Sequence, residues 1–339
     1  MFSSPTVIII GAGSSVDYGL PLGKALWDQI VSDCDTLPNH LSEYIAKNIV
    51  ASADVYFRDT SSDNPKAYAF FQLMRDAQGR VEYQQAKALA ETVKRANVHD
   101  NVDDFVRDHP SLKKPMQALI AGNLFAHLYQ KENGKSGWNL RPYLFASPLQ
   151  GGPFPKAENW VRRFAGLCRD RLQPISGGVS PVKACVTVIS FNYDRLMETV
   201  LREFWDKAET KYPRIDDCFM FLYPYGAFSE LKRNVPDAGA WLVDQSERIA
   251  ITEIVRSPQK ALAREALENA RQVFMLGFSC SDTNMEWLGL NAKPGKKVFA
   301  QNFRAHDKRL QRVLSDMNAR SDISSMIELV RNGFFNQGH

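Results

Sequence analysis

The chain has 339 residues, with 42 Lys and Arg against 38 Asp and Glu, for a formal net charge of +4 with its 6 His neutral. At 44% hydrophobic and 24% charged residues it has the composition of a globular protein, long enough for one large α/β domain or two modest ones, which excludes disorder as the main state. The small, dispersed charge excess gives no argument for nucleic acid or a membrane surface.

The N-terminus has no basic segment, and the apolar run Val7–Ile10 is too short for the core of a signal peptide. No stretch approaches the roughly 18 apolar residues of a membrane span. Five cysteines (Cys34, Cys168, Cys185, Cys218 and Cys280) are scattered, odd in number and never spaced C-x-x-C. That pattern speaks against a disulfide framework and a Cys-rich zinc site, and sets the expectation of a reducing cytoplasm.

Val7–Ile10 is a β-branched run that reads as a strand buried on both faces, and Gly11-Ala12-Gly13-Ser14-Ser15 follows at once. After the Gly19-Leu20-Pro21 break, Leu26 with Ile30 and Trp27 with Val31 mark a helix. Residues 66–130 read as mostly helical, with a helix start and early acidic residues at Asn101–Phe105. Residues 133–155, rich in Gly, Pro and aromatics, read as a linker or surface loop.

The α/β alternation then resumes. A helix over about 157–172 precedes a strand over 185–189, and a helix opens at Asn192-Tyr193-Asp194. Short strands are expected at 219–222, 273–276 and 298–300, with a helix over 258–271 and C-terminal helices near 308–317 and 323–330. The fold class this predicts is α/β: a Rossmann-like parallel sheet with helices on both faces, plus a helical insertion module. The sheet core is expected over about 1–35 and 157–339 and the insertion over about 36–156, in a single domain.

Ligands of such sheets bind beyond the carboxyl ends of the strands. Four strand ends carry small or polar residues: Gly11 to Ser15, Asn192, Gly277 to Ser279, and Asn302. A Gly-x-Gly turn lets backbone reach a pyrophosphate, although Val16 stands where a dehydrogenase fingerprint has its third glycine. Taken alone, Asn192 equally reads as a helix cap, Asp194 as a first-turn helix residue, and Tyr223 and Tyr225 as core aromatics.

The ordered set of motifs resembles the bacterial SIR2-like branch of the sirtuin superfamily. The matching residues are Gly11–Ser15 with Gly19-Leu20-Pro21, the Asn192-Tyr193-Asp194 strand end, and Leu276-Gly277-Phe278-Ser279 followed by Ser281-Asp282-Thr283-Asn284. The resemblance implies NAD as substrate and no metal. Gly11, Ala12, Gly13, Ser14 and Ser15 would hold the pyrophosphate, with Gly277, Ser279, Asp282 and Asn302 also contacting NAD. Asn192 would lie beside the nicotinamide ribose. It implies hydrolysis of NAD to nicotinamide and ADP-ribose by an anti-phage defence effector, working as a homo-oligomer or with a partner ATPase or other defence protein. Membrane and direct nucleic-acid partners are not expected.

Two departures qualify what the resemblance implies. Leu22-Gly23-Lys24 follows Pro21 where deacetylase sirtuins have Asp-Phe-Arg, and no zinc module is present, so protein deacetylation is not expected. Tyr223-Pro224-Tyr225-Gly226 puts Tyr225 at the family's catalytic His position, and a tyrosine, with a pKa near 10, is a poor base at neutral pH. His99, His109 and His127 remain alternative bases. Two readings therefore stand: an NAD glycohydrolase using Asn192 and Tyr225, or a weak or inactive NAD or ADP-ribose binding module that regulates a partner assembly.

Overall fold

The computed structural model describes residues 5–47, 64–73, 83–95, 102–131, 137–145, 159–169, 186–206, 213–251, 258–289, 297–301, 311–312, 315 and 320–322. Nine strands occur among them: β1 (Thr6–Ile10), β2 (Tyr129–Lys131), β3 (Trp138–Leu140), β4 (Val186–Ser190), β5 (Phe219–Leu222), β6 (Asn234–Val235), β7 (Gln272–Leu276), β8 (Lys297–Gln301) and β9 (Arg320–Asp322). Six of them form one sheet in the order β5-β4-β1-β7-β8-β9, and every pairing in it is parallel.

Side-chain alternation gives this sheet two buried faces. On one face Val7, Ile9, Ile189, Leu222, Val273, Met275, Val298 and Ala300 pack under Ala263 and Leu267 of the helix Pro258–Asn269 and Trp287 and Leu288 of the helix Asp282–Leu288. On the other, Phe219 meets Phe164 of the helix Trp160–Arg169 at 6.3 Å and Trp205 of the helix Leu196–Asp206 at 5.4 Å between ring centroids. Phe274 and Phe299, paired across β7 and β8, stack there at 4.9 Å. The α/β architecture with helices on both faces is therefore the one the sequence predicts.

The chain divides into two units. The sheet unit comprises Met1–Gly19, Pro142–Pro224 and Ile254–His339, and the helical unit Leu20–Arg141 and Tyr225–Glu253. Residues 20–35 thus leave the expected sheet core. The helix Gly23–Lys47 packs instead on the helices Tyr83–Arg95 and Lys113–Leu128, with Trp27 tilted against Phe105 at 5.1 Å. Residues 225–253 leave it too, because the helix Ala238–Arg248 sets Trp241 against Phe125, Tyr129 and Phe228.

The helical unit also holds a small antiparallel sheet, β2-β3-β6. Its middle strand falls inside the stretch expected to be a linker. Aromatics explain the difference: Trp138 of β3 packs 5.2 Å from Phe125, a contact no local pattern announces. The helix starts Asn159 and Asp237 are ordinary caps, accepting from the N–H groups of Arg162 and Ala240. Strand β9 lies between the two expected C-terminal helices; residues 323–330 and most of 308–317 are outside the described residues.

Phe274 is fully buried at the centre of the sheet, whereas Leu262 is 42% exposed. Urea unfolding should show Phe274→Ala losing about 3–5 kcal/mol, and Leu262→Ala changing stability by no more than about 0.5 kcal/mol.

Candidate functional site

In chain order, the sheet grows from β1 through β4 to β5 on one side, then returns across β1 and grows through β7 and β8 to β9 on the other. The order reverses between β1 and β7, and the crevice beyond their carboxyl ends is where doubly wound sheets take ligands.

At that point two backbones touch. Gly11 donates its N–H to Leu276 O at 3.0 Å, and Gly13 donates to Gly277 O at 3.0 Å. A Cβ on Gly277, whose φ is +56°, would lie 2.2 Å from Ser14 N; one on Gly11 or Gly13 would lie 2.7 Å from Gly277 O or Cα respectively. Side chains at these three positions are thus excluded by geometry, whatever binds there. The Gly11 and Gly13 amides hold the neighbouring strand end, so their own N–H groups are engaged within the protein.

The serines that follow are also turned inward. Ser14 Oγ donates to Gly11 O at 2.8 Å, and Ser15 Oγ donates to Asp194 Oδ2 at 3.0 Å, both buried. Trp160 Nε1 steadies the loop by donating to Ser14 O at 3.2 Å. Ala12 opens the short 3-10 run Ala12–Tyr18, which Gly19 ends with φ +78°.

Beside this loop, the end of β4 brings Asn192 to 7% exposure. Its Nδ2 donates to Ser15 Oγ at 3.0 Å and to Ser14 Oγ at 3.4 Å. Its Oδ1 is buried and accepts no hydrogen bond from the described residues. An unmet buried acceptor costs about 1–3 kcal/mol, so the position favours a ligand that brings a donor. Asn192 is not the cap of the next helix. Arg195 immediately precedes that helix, and Asp194 meets its first amide, accepting from Leu196 N–H at 2.8 Å through Oδ1. Burial raises the Asp194 carboxyl above the ordinary Asp range, against the pull of the Leu196 amide and Ser15 hydroxyl. Arg195 then takes a left-handed φ of +48°, and its guanidinium and the Tyr223 hydroxyl (2.6 Å) both donate to buried Glu198.

On the β7 side, Ser279 is exposed and Cys280 is buried with φ +52° and its thiol pushed up to about 12 by desolvation. Asp282 is the first residue of its helix, whose cap is Ser281. Asn302 lies outside the described residues, but its neighbour Gln301 accepts from Gly277 N–H at 3.1 Å. Gln301 is a site residue that sequence reasoning missed, and Asp194, read there as a first-turn helix residue, lies just before the helix and bonds Ser15 instead. The Asp two places after Asn192 was a readable signal, since Asp often accepts from the amide two residues on; Gln301 had none beyond its strand end.

Tyr225 belongs to the helical unit. There burial, and then the charges of Asp103 and Asp104, hold its phenol well above the usual tyrosine range. Among the described residues no cluster of three or more His, Cys, Asp or Glu is placed to hold a metal ion, and no helix is long and apolar enough to cross a membrane.

No family model matches the chain, and no curated protein matches it. Seventeen solved chains do. Among them is the sirtuin Sir2Tm bound to a propionylated peptide, 14% identical over 98% of this chain and 93% of that one, with a TM-score of 0.38. A likeness of that size assigns no activity.

Gly277→Ala adds a left-handed Ala and a backbone clash, and should cost about 2–4 kcal/mol in thermal or urea unfolding. Gly23→Ala, where a Cβ would meet nothing within 4 Å, should be neutral or stabilising by up to about 1 kcal/mol.

Proposed function

We propose that this chain binds NAD over the carboxyl ends of β1, β4 and β7 and hydrolyses it to nicotinamide and ADP-ribose. The observation that carries the reading is the buried Asn192 Oδ1, unpartnered among the described residues, beside the point where the strand order reverses. The ordered resemblance to the SIR2-like branch supplies the identity of the ligand. The reading extends to an anti-phage effector that depletes NAD in the cytoplasm, as a homo-oligomer or with a partner ATPase.

The chemistry asks little of a base. Nicotinamide leaves with the electron pair of the glycosidic bond and becomes neutral, so C1′ of the ribose passes through an oxocarbenium-like state. Water then adds to C1′ and gives up a proton to solvent. Asn192 can orient that water, or a ribose hydroxyl, by accepting its hydrogen at Oδ1. Tyr225 keeps its own proton at neutral pH, so it is not a base for this reaction.

The second reading, a binding module that regulates a partner, is favoured by that same protonated Tyr225, since lack of a general base typically costs about 10²- to 10⁴-fold in rate. Chromatography of purified protein incubated with NAD separates the two. Hydrolysis predicts released nicotinamide and ADP-ribose, falling at least about 10²-fold in Asn192→Ala. Bound NAD with no release would favour the binding module, and equal release by Asn192→Ala would remove Asn192 from the reaction.

The Tyr225 phenol contributes no ionisation step between about pH 6 and 9, because its raised pKa keeps it neutral throughout. Tyr225→Phe should therefore retain the pH profile of nicotinamide release; a profile changed by the substitution would contradict a purely neutral role.

A further inference from the structure

The Asn192 amide could turn either end toward the two serines, and the surrounding hydrogen bonds decide which. Each serine hydroxyl has one proton to give. Ser14 gives its proton to Gly11 O at 2.8 Å, and Ser15 gives its proton to Asp194 Oδ2 at 3.0 Å. Both oxygens therefore present lone pairs to Asn192, and only the Nδ2 end can face them, at 3.4 and 3.0 Å. An inverted amide would set Oδ1 against two lone pairs.

Asp194 is itself fixed. Its Oδ1 accepts from Leu196 N–H at 2.8 Å, at the start of the helix Leu196–Asp206, which leaves Oδ2 for Ser15. A directed chain thus runs from that helix start through Asp194 and Ser15 to Asn192, and it ends on the buried Oδ1, which has no partner among the described residues. Buried polar chains of this kind set orientation because each member constrains the next.

We propose that Asp194 and Ser15 are positioning residues that hold Asn192 as a hydrogen-bond acceptor toward the ligand, so the group it meets is a donor: a ribose hydroxyl or the attacking water. Only the identity of that donor rests on the NAD reading; the polarity of Asn192 does not.

Asp194→Asn reverses the chain while keeping its shape. The new carbonyl must stay on Leu196 N–H, so the new NH2 donates to Ser15, the Ser15 proton turns to Asn192, and the Asn192 amide inverts. Ser15→Ala cuts the same link with a smaller change. Two readouts are taken on each variant, with thermal melting as the check of fold. The first is solvent exchange of the Asn192 side-chain NH2, by NMR on Asn-labelled protein, with the resonances assigned by their loss in Asn192→Asp. The second is kcat and KM for nicotinamide release.

Exchange should be slow in the parent and at least about tenfold faster in both variants, as expected when a buried hydrogen bond is lost. The kcat should fall about 10²-fold with KM little changed, as expected for misorientation by a small displacement. Parental exchange in the folded variants would overturn the proposal, as would lost activity with exchange unchanged. Should Asp194→Asn fail to fold, Ser15→Ala decides alone. Should the parent leave NAD uncleaved, hydrolysis is the reading that fails, and NH2 exchange still decides the orientation of Asn192.

Discussion

The close approach of two backbones, Gly11–Gly13 against Gly277, is the constraint on which the rest of the sheet unit's functional end depends. The Gly11 and Gly13 amides bond to the end of β7, and a Cβ at any of the three glycines would collide with the opposing chain. This contact sits where the strand order reverses, so it fixes how far apart β1 and β7 splay and where their loops leave the sheet. It also sets the course of the chain through Ser14 and Ser15, whose hydroxyls then point back into the protein.

From that fixed loop the polar arrangement follows. With both serine protons committed, the lone pairs left facing the end of β4 select one orientation of Asn192, and Asp194 closes the chain at the next helix start. The residue that offers itself to a ligand is thus the last member of a connected set, not an isolated amide. Its carbonyl oxygen, without a partner among the described residues, is the observation on which the proposed ligand site rests. The neighbouring cluster, in which Arg195, Arg202 and Tyr223 converge on Glu198 and Arg202 also pairs with Asp216, lies beside the ends of β4 and β5.

Much of this was legible in the sequence. The β-branched runs in β1 and β4 announced strands buried on both faces. The Gly-x-Gly turn was legible as a tight approach, but its partner was not, because the contact with Gly277 joins positions far apart in the chain. The same holds for the membership of residues 20–35 and 225–253 in the helical unit, which aromatic and helix–helix packing decides rather than local pattern. The first helix amide is met by Asp194, not Asn192, a two-residue difference that periodicity does not resolve.

The central claim is that a nucleotide lies over the carboxyl ends of β1, β4 and β7 and satisfies Asn192 Oδ1. A crystal structure of the protein with ADP-ribose tests it most directly. The account predicts a ribose hydroxyl, or a water held by that ribose, within about 2.6–3.2 Å of Asn192 Oδ1, with Nδ2 still on Ser15. ADP-ribose bound elsewhere, or an Asn192 carbonyl satisfied by the protein itself, would contradict it.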